Sequence, residues 1–291
     1  MDWRSIVLGK FSWWRLVRFP IILYVALLIV GAFFSDRLIF PYRGCSYERG
    51  DYGISESLTK SMVYGTLYQQ AKEERFLALY FHGNGVDIGM LWPLVAELNE
   101  RGISVLAIDY PDYGLSRSLL PRDGFYENSI LRDPHHVGPT EQSCREAAFF
   151  LYQKATSMGY TNDQIVVWGR SIGSGVATDL VHLLEQAHAK DDPLRGLMLD
   201  SPFKSAFTTK TMVPILPFDK FENLQKIKEL QTPTFILHGQ EDRVISVSHS
   251  KALYEAHSGK KERHVIPDAG HSDLWNYVEE HHWARLLAFF D

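Results

Sequence analysis

The sequence predicts an α/β fold, in which helices cover both faces of a mostly parallel β-sheet. From residue 38 onward, short apolar runs alternate with amphipathic stretches, and this alternation is typical of such a layered domain. The composition agrees, because 45% of the 291 residues are hydrophobic, 22% are charged, and glycine and proline are spread along the chain. A globular domain is therefore expected, and a disordered or fibrous chain is excluded.

Six runs are apolar enough to be strands buried on both faces of the sheet. They span residues 76–81, 103–108, 164–168, 197–199, 234–237 and 263–266. The amphipathic stretches between them are predicted helices, at 88–101, 141–158, 173–186, 246–257 and 274–289. Two segments, 116–139 and 203–223, do not follow the alternation. We interpret them as excursions from the sheet, of the kind that forms lids or binding loops.

The segment in front of this domain predicts a membrane anchor. Residues 19–35 carry no charge, and eleven of these 17 residues are Leu, Ile, Val or Phe, which is close to the lower length limit for a membrane-spanning helix. Trp13 and Trp14 precede the run, where aromatic side chains at a membrane interface are expected. We therefore assign residues 1–18 to an N-terminal tail, 19–35 to a transmembrane helix and 38–291 to the domain.

Basic residues predict the orientation of this anchor. Four of them precede the apolar run and two follow it closely, namely Arg4, Lys10, Arg15 and Arg18 before it and Arg37 and Arg43 after it. The positive-inside rule then places the N-terminus in the cytoplasm and the domain on the periplasmic, lumenal or extracellular side. Two other interpretations stay open: a signal peptide cleaved near residues 30–32, and a buried core helix.

Charge and cysteine content narrow the functional classes. The 30 Lys and Arg residues against 35 Asp and Glu give a formal charge of -5, so nucleic-acid binding is not expected. Cys45 and Cys144 are the two cysteines, and they lack the spacing of a structural zinc site. No nucleotide-binding loop or metal motif occurs in the sequence, and we expect no metal and catalysis without a cofactor. One disulfide stays open if the compartment is oxidising.

The sequence Gly169-Arg170-Ser171-Ile172-Gly173 follows a predicted strand and precedes a predicted helix. This is the G-x-S-x-G nucleophile elbow in the context that it requires. Glycines are needed there because the serine adopts a strained backbone conformation, and larger neighbours would clash with the strand and the helix. Ser171 is therefore the predicted nucleophile.

A serine nucleophile needs a base and an acid later in the chain, in the order Ser, Asp or Glu, His. Asp242 and His271 each follow a predicted strand directly, at the end where open α/β sheets place their sites. We predict that His271 accepts the Ser171 proton and that Asp242 orients the imidazole. Glu241 and Asp200 are alternative acids.

Two backbone N–H groups are predicted to form the oxyanion hole. One belongs to Ile172, which follows the nucleophile. The other belongs to Asn84, because the loop His82-Gly83-Asn84-Gly85 follows the first predicted strand, where the second donor of such sites lies.

These motifs together resemble the α/β-hydrolase superfamily. They are FHGNGVDIG (81–89), IDYPDYGLS (108–116), GRSIGSG (169–175), LDSPF (199–203), HGQEDRVIS (238–246) and IPDAGHSDL (266–274). The chain is most similar to single-pass, membrane-anchored α/β-hydrolase-domain proteins, a branch that includes depalmitoylases and serine-aminopeptidase-like proteins. The resemblance implies the α/β-hydrolase fold and acyl transfer to water. Asp112 departs from the pattern, since that branch usually has Gly there, and segment 116–139 is longer than usual.

The resemblance and the predicted triad indicate a serine hydrolase that cleaves an ester or thioester, with a medium or long acyl group as the expected substrate. Apolar side chains in the two excursions are candidates for an acyl pocket: Leu119, Leu120, Phe125, Tyr126, Met212, Ile215, Leu216 and Phe218. One alternative is an aminopeptidase, in which Glu127 or Asp133 would hold the substrate ammonium. Another is a non-catalytic, membrane-tethered binding protein. The expected partners are therefore a small-molecule or lipid-linked acyl substrate and the membrane.

Overall fold

The computed structural model describes residues 13–41, 44–119, 138–187, 192–211 and 215–291. Most of the predicted excursion at 116–139 lies outside these residues, and so do residues 1–12 of the predicted tail. Of the apolar and acidic side chains proposed for substrate binding, Leu120, Phe125, Tyr126, Glu127, Asp133 and Met212 also lie outside them.

A nine-stranded sheet forms the centre of the described chain. Its strands are β1 (Ile54–Leu58), β2 (Met62–Gln69), β3 (Phe76–Phe81), β4 (Ile103–Ile108), β5 (Arg117–Ser118), β6 (Ile165–Arg170), β7 (Gly196–Asp200), β8 (Thr234–Gly239) and β9 (Lys261–Ile266). The order is β1-β2-β4-β3-β6-β7-β8-β9, with β5 paired to β2. The six predicted strands are confirmed and run parallel, whereas β1, β2 and β5 add an antiparallel edge that was not predicted.

Helices pack on both faces of this sheet, as the alternating pattern predicts. They are α1 (Trp13–Ile39), α2 (Trp92–Glu100), α3 (Glu141–Ser157), α4 (Ile172–Ala187), α5 (Thr208–Thr211), α6 (Asn223–Lys226), α7 (Ser248–Ala256) and α8 (Glu280–Phe290). Side chains of α3 and α4 pack against one face of the sheet, and those of α2 and α8 pack against the other.

Two predicted helices are shorter than expected. The segment predicted at 88–101 starts with a 3₁₀ turn, Ile88–Leu91, and becomes α-helical at Trp92, where Pro93 is accommodated because the first turn needs no N–H donor there. The segment predicted at 274–289 contains the 3₁₀ turn Leu274–Tyr277 and then breaks. Its α-helix begins only after Glu279, which is the N-cap residue. The backbone N–H of Glu279 donates a hydrogen bond to His282 Nδ1 at 3.1 Å.

The N-terminal helix α1 is long and apolar enough to cross a membrane over Val17–Ile39, by length and composition. Phe19 is 70% exposed and Phe33 is 78% exposed, so the interpretation as a buried core helix is wrong. A membrane anchor and a signal sequence both satisfy the same criteria.

Helix α1 also continues past the predicted end of the apolar run at residue 35. The carboxylate of Asp36 pairs with the ammonium of Lys220, so this charge does not terminate the helix. Phe40 follows directly and is 1% exposed, with its ring centroid 6.2 Å from that of Phe221. The end of α1 is therefore attached to the core of the domain.

Candidate active site

Ser171 lies in the turn between β6 and α4, as the elbow motif predicts. Its φ of 52° is in the left-handed region, which is strained for a residue with a side chain. A Cβ on Gly173 would lie 2.0 Å from the carbonyl oxygen of Phe81, and one on Gly169 would lie 2.2 Å from that of Gly173. Only glycine fits at these two positions, and the close packing holds Ser171 at the carboxyl edge of the sheet.

The structure brings the three predicted catalytic side chains together. His271 Nε2 lies 3.1 Å from Ser171 Oγ, and His271 Nδ1 lies 2.7 Å from Asp242 Oδ2. Both distances fit hydrogen bonds of a serine–histidine–aspartate triad. The chain brings these residues from three separate strand ends, those of β6, β8 and β9.

Asp242 lies in an environment that favours its ionised form. Burial opposes ionisation, but hydrogen bonds from His238 and His271 and from the N–H of Ile245 outweigh it and hold the pKa of Asp242 below its ordinary value. The N–H groups of Val244 and Ile245 both donate to Oδ1 at 2.8 Å. Oδ1 is therefore held by the backbone, and Oδ2 of the carboxylate faces His271.

The two alternative acids lie elsewhere in the site. Asp200 is fully buried and accepts a hydrogen bond from the indole N–H of Trp275 at 2.7 Å. Its carboxylate also lies 3.7 Å from Arg170 Nε. Glu241 is exposed. The geometry thus favours Asp242 as the partner of His271.

Several supporting residues were not found from the sequence. Arg170 Nη2 donates to the backbone carbonyl oxygen of His271 at 3.0 Å, which fixes the loop that carries the imidazole. His238 Nε2 lies 3.2 Å from Asp242 Oδ2 and 2.9 Å from the carbonyl oxygen of Ile245. Arg170 lies inside the elbow motif and His238 directly follows a predicted strand, but the sequence does not indicate the groups that they contact.

The predicted oxyanion-hole residues also lie beside Ser171. A Cβ on Gly83 would be 3.4 Å from Ser171 Cβ, so the loop after β3 packs directly against Ser171. Asn84 is held there because its Oδ1 accepts from the hydroxyl of Tyr113 at 2.7 Å and its side-chain amide donates to the carbonyl oxygen of Ile39. Ile172 begins α4. Their role as oxyanion donors stays a prediction.

A cavity of about 560 Å³ opens at Ser171 and is mainly apolar. It extends between α1 and residues of 203–211 and 215–216. Of the side chains predicted for an acyl pocket, Ile215 and Leu216 line it. Its size is within the range of small-molecule binding sites.

The structure also bears on Asp112, on the two cysteines and on metal ligands. Asp112 has a φ of 64°, a conformation that glycine adopts at no steric cost, which explains why glycine is usual there. Cys144 is buried and Cys45 is exposed, and both are free thiols, so they do not form the disulfide that was left open. Within the described ranges, no three His, Cys, Asp or Glu side chains converge as metal ligands do.

Relatives share most of the domain with this chain. A putative alpha/beta hydrolase, L404, of Acanthamoeba polyphaga mimivirus is 29% identical over 220 residues, which is 73% of each chain. The alpha/beta hydrolase domain-containing protein aho-3 of Caenorhabditis elegans is 28% identical over 82% of this chain and 64% of its own length. Human alpha/beta hydrolase domain-containing protein 17C is 28% identical over 72% of this chain and 56% of its own. The chain thus spans less than two thirds of the latter two relatives.

Solved structures share the fold at low sequence identity. An alpha-beta hydrolase from Vibrio vulnificus superposes with a TM-score of 0.65 at 16% identity and covers 89% of this chain and 93% of its own. The esterase Pf2001 from Pyrococcus furiosus has a TM-score of 0.60 at 17% identity and covers 86% of this chain and 95% of its own. Residues 72–221 and 219–276 match the family described as Hydrolase_4, serine aminopeptidase S33. The chain therefore belongs to this family and is an α/β hydrolase.

Proposed function

We propose that this chain is a membrane-anchored serine hydrolase that cleaves an ester or thioester of a medium or long acyl group. One observation carries the proposal: Ser171 is hydrogen-bonded through His271 to Asp242 and opens into an apolar cavity. An activated serine supplies the chemistry, and the cavity suits a hydrocarbon chain.

The proposed reaction has two stages. Ser171 Oγ attacks the acyl carbonyl carbon while His271 Nε2 accepts its proton, and the N–H groups of Ile172 and Asn84 stabilise the oxyanion. The bond to the leaving oxygen or sulfur then breaks, and His271 returns the proton to that atom. In the second stage, water attacks the acyl-enzyme, His271 takes a proton from the water and passes it to Ser171, and the carboxylic acid leaves.

Labelling with a fluorophosphonate probe tests whether the protein is catalytic. We expect wild type to be labelled, Ser171→Ala to be unlabelled, and Ser272→Ala, which changes an exposed serine in the His271 loop, to be labelled like wild type. If folded wild-type protein gives no signal that depends on Ser171, the protein is a non-catalytic binding protein and the proposal is wrong.

A series of p-nitrophenyl esters from acetate to palmitate tests the acyl preference. Because the cavity at Ser171 is lined mainly by apolar side chains, we expect kcat/KM to rise from the shortest acyl chains to the medium or long ones. A preference for acetate would contradict the acyl-pocket assignment without contradicting the serine mechanism.

An aminopeptidase is the second candidate, because the matching family is described as serine aminopeptidase. Such an enzyme needs a carboxylate near the nucleophile to hold the substrate ammonium. Within the described part of the cavity wall, the charged side chain is that of Lys210, and no carboxylate lines it. We therefore expect aminoacyl p-nitroanilides to be poorer substrates than acyl esters, and the opposite order would favour the peptidase.

The proposal includes retention of α1 in the membrane, with the N-terminus in the cytoplasm and the domain across the membrane. The contact of the Tyr24 hydroxyl with the carbonyl oxygen of Ile215 and the position of Leu27 in the cavity wall support retention, because both residues precede residues 30–32. The mass of the mature protein in a membrane fraction separates an anchor from a cleaved signal sequence. Protease protection tests the orientation in sealed vesicles whose outer face is the cytoplasmic face of the membrane. A protease added outside would digest a cytoplasmic domain and would leave a domain on the other side intact.

A further inference from the structure

The cavity at Ser171 is bounded on one side by the membrane helix itself. The lining residues of α1 recur every three or four positions and therefore lie on one face of the helix: Leu27, Val30, Gly31, Ser35, Leu38 and Ile39. Opposite them lie Phe207, Ile215 and Leu216. A helix that is apolar enough to span a bilayer therefore lines the same cavity as Ser171, the proposed nucleophile.

Contacts on two sides hold this part of α1 against the domain. The Tyr24 hydroxyl donates to the carbonyl oxygen of Ile215 at 3.4 Å, and Asp36 pairs with Lys220. The carbonyl oxygen of Ile39 accepts from the side-chain amide of Asn84, the residue predicted to supply an oxyanion donor. The position of α1 is therefore coupled to both the cavity and the nucleophile loop.

The length of α1 places this cavity next to the bilayer. The 23 residues of the candidate span, Val17–Ile39, form about 34 Å of helix at about 1.5 Å per residue, close to the roughly 30 Å hydrocarbon core of a membrane. The α1 residues that line the cavity, from Leu27 to Ile39, lie in the C-terminal part of this span. An acyl chain could then pass from the bilayer along α1 to Ser171 without crossing water.

Ser35 provides an independent indication of a ligand on this wall. Its side chain is 2% exposed, it lines the cavity, and within the described chain its Oγ has no hydrogen-bond partner. A buried hydroxyl without a partner is unfavourable. A polar atom of a bound substrate, such as an ester oxygen, would satisfy it.

We propose that the Leu27–Ile39 face of α1 is one wall of the acyl-binding site, and that the substrate is an acyl ester or thioester whose chain reaches Ser171 from the bilayer. This deepens the proposed function and rests on it. The anchor then determines substrate specificity in addition to localisation. The residues concerned are specificity determinants, since they contact the acyl chain and not the reacting atoms.

Substitution of Gly31 tests the wall directly. A Cβ there would lie 2.5 Å from Leu216 Cδ1 and 3.3 Å from the ring of Phe218, so Gly31→Leu fills the cavity between α1 and the opposite segment. The matched control is Ala32→Leu, since Ala32 is the next residue of the helix and is exposed. Both full-length variants are reconstituted in phosphatidylcholine vesicles and assayed with p-nitrophenyl acetate and p-nitrophenyl palmitate, alongside fluorophosphonate labelling of Ser171.

We expect Gly31→Leu to lower kcat/KM for palmitate about tenfold or more, because several methylene groups lose their apolar contact. The value for acetate and the rate of labelling should stay within about twofold of wild type, and Ala32→Leu should change neither ester. Equal losses for both esters, or no loss for palmitate, would overturn the proposal. Absence of labelling in wild type would instead show that the proposed function itself is wrong.

Two further measurements keep the test decisive. Leu27→Ala shortens a partly exposed side chain of the same wall, so it should leave folding intact and lower kcat/KM for palmitate but not for acetate, even if Gly31→Leu fails to fold.

A second experiment tests whether the acyl chain enters from the bilayer. A palmitoylated peptide is placed either in the vesicles that hold the enzyme or in a separate population of vesicles. Faster cleavage in the shared vesicles is expected, and equal rates would refute entry from the bilayer.

Discussion

Replacement of Asp242 by Asn tests the proposed triad, because it removes one charge and leaves the shape of the side chain nearly unchanged. The Asn side-chain oxygen can still accept from the N–H groups of Val244 and Ile245, as Asp242 Oδ1 does at 2.8 Å. Its NH₂ group then faces His271 Nδ1, which lies 2.7 Å from Asp242 Oδ2. His271 Nδ1 must become the acceptor of this pair, and the imidazole proton moves to Nε2.

This change of tautomer determines the size of the effect. Nε2 lies 3.1 Å from Ser171 Oγ, and once protonated it cannot take the serine proton. In serine proteases the corresponding change lowers kcat about 10⁴-fold, which is about 5 kcal/mol in activation free energy. We expect a loss of the same order, about 10³- to 10⁴-fold, with the overall fold retained.

The assay is hydrolysis of p-nitrophenyl butyrate by full-length protein in detergent, with thermal unfolding measured on every variant. Asp200→Asn and Glu241→Gln are the matched controls. Asp200 contacts Trp275 and Arg170, and Glu241 is exposed, so we expect losses in kcat of less than about tenfold for the first and about none for the second. An Asp242→Asn variant with more than about a tenth of wild-type kcat, or a larger loss in Asp200→Asn, would refute the assignment of the acid.

Three further substitutions test the fold around the site. Gly173→Ala should destabilise the domain by about 3 kcal/mol or more, because its Cβ would lie 2.0 Å from the backbone oxygen of Phe81. The control Gly83→Ala should not destabilise it, because the nearest contact of that Cβ is at 3.4 Å. Urea unfolding of both variants measures the difference, and equal stabilities would contradict the steric argument. Phe40→Ala should cost about 3–5 kcal/mol, since Phe40 is buried in the core; an unchanged unfolding midpoint would contradict the attachment of α1. Burial and the nearby Lys204 lower the pKa of His249 from 6.5 to about 4, so the unfolded state binds more protons in that window and stability falls as the pH drops through it. His249→Gln should reduce this pH dependence in thermal unfolding at pH 7 and pH 5, and an unchanged dependence would contradict the pKa assignment.

The parallel part of the sheet was predictable because its strands are buried on both faces and read as continuous apolar runs. The antiparallel edge was not, because β1 is five residues long and its two buried residues, Ile54 and Ser57, lie three positions apart, without the alternation that marks a strand. In β2, Gly65 interrupts the apolar run, where a Cβ would lie 2.4 Å from the hydroxyl of Tyr47. Such a glycine reflects a close tertiary approach, which no local pattern contains.

The predicted site residues share one property that made them visible. Ser171, Asp242 and His271 each follow a strand, and the carboxyl ends of parallel strands meet at one edge of the sheet. Supporting groups lack such a marker. Arg170 and Trp275 reach their partners across 101 and 75 residues of sequence, so only the folded chain shows that they hold the His271 loop and Asp200.

The boundary between the apolar helix α1 and the rest of the domain illustrates the same limit, and it has a functional consequence. Hydropathy separates residues 19–35 from the domain, but the structure packs Gly31 against Leu216 and Phe218 and pairs Asp36 with Lys220, 184 residues away. Cleavage near residues 30–32, as a signal peptidase would perform it, would remove Leu27 and Val30 from the cavity wall. Apolar side chains of the opposite wall would then face water, which is unfavourable. Retention of α1 and an acyl-binding cavity at Ser171 are therefore linked predictions: the mature protein should keep its N-terminal helix wherever it prefers long acyl chains.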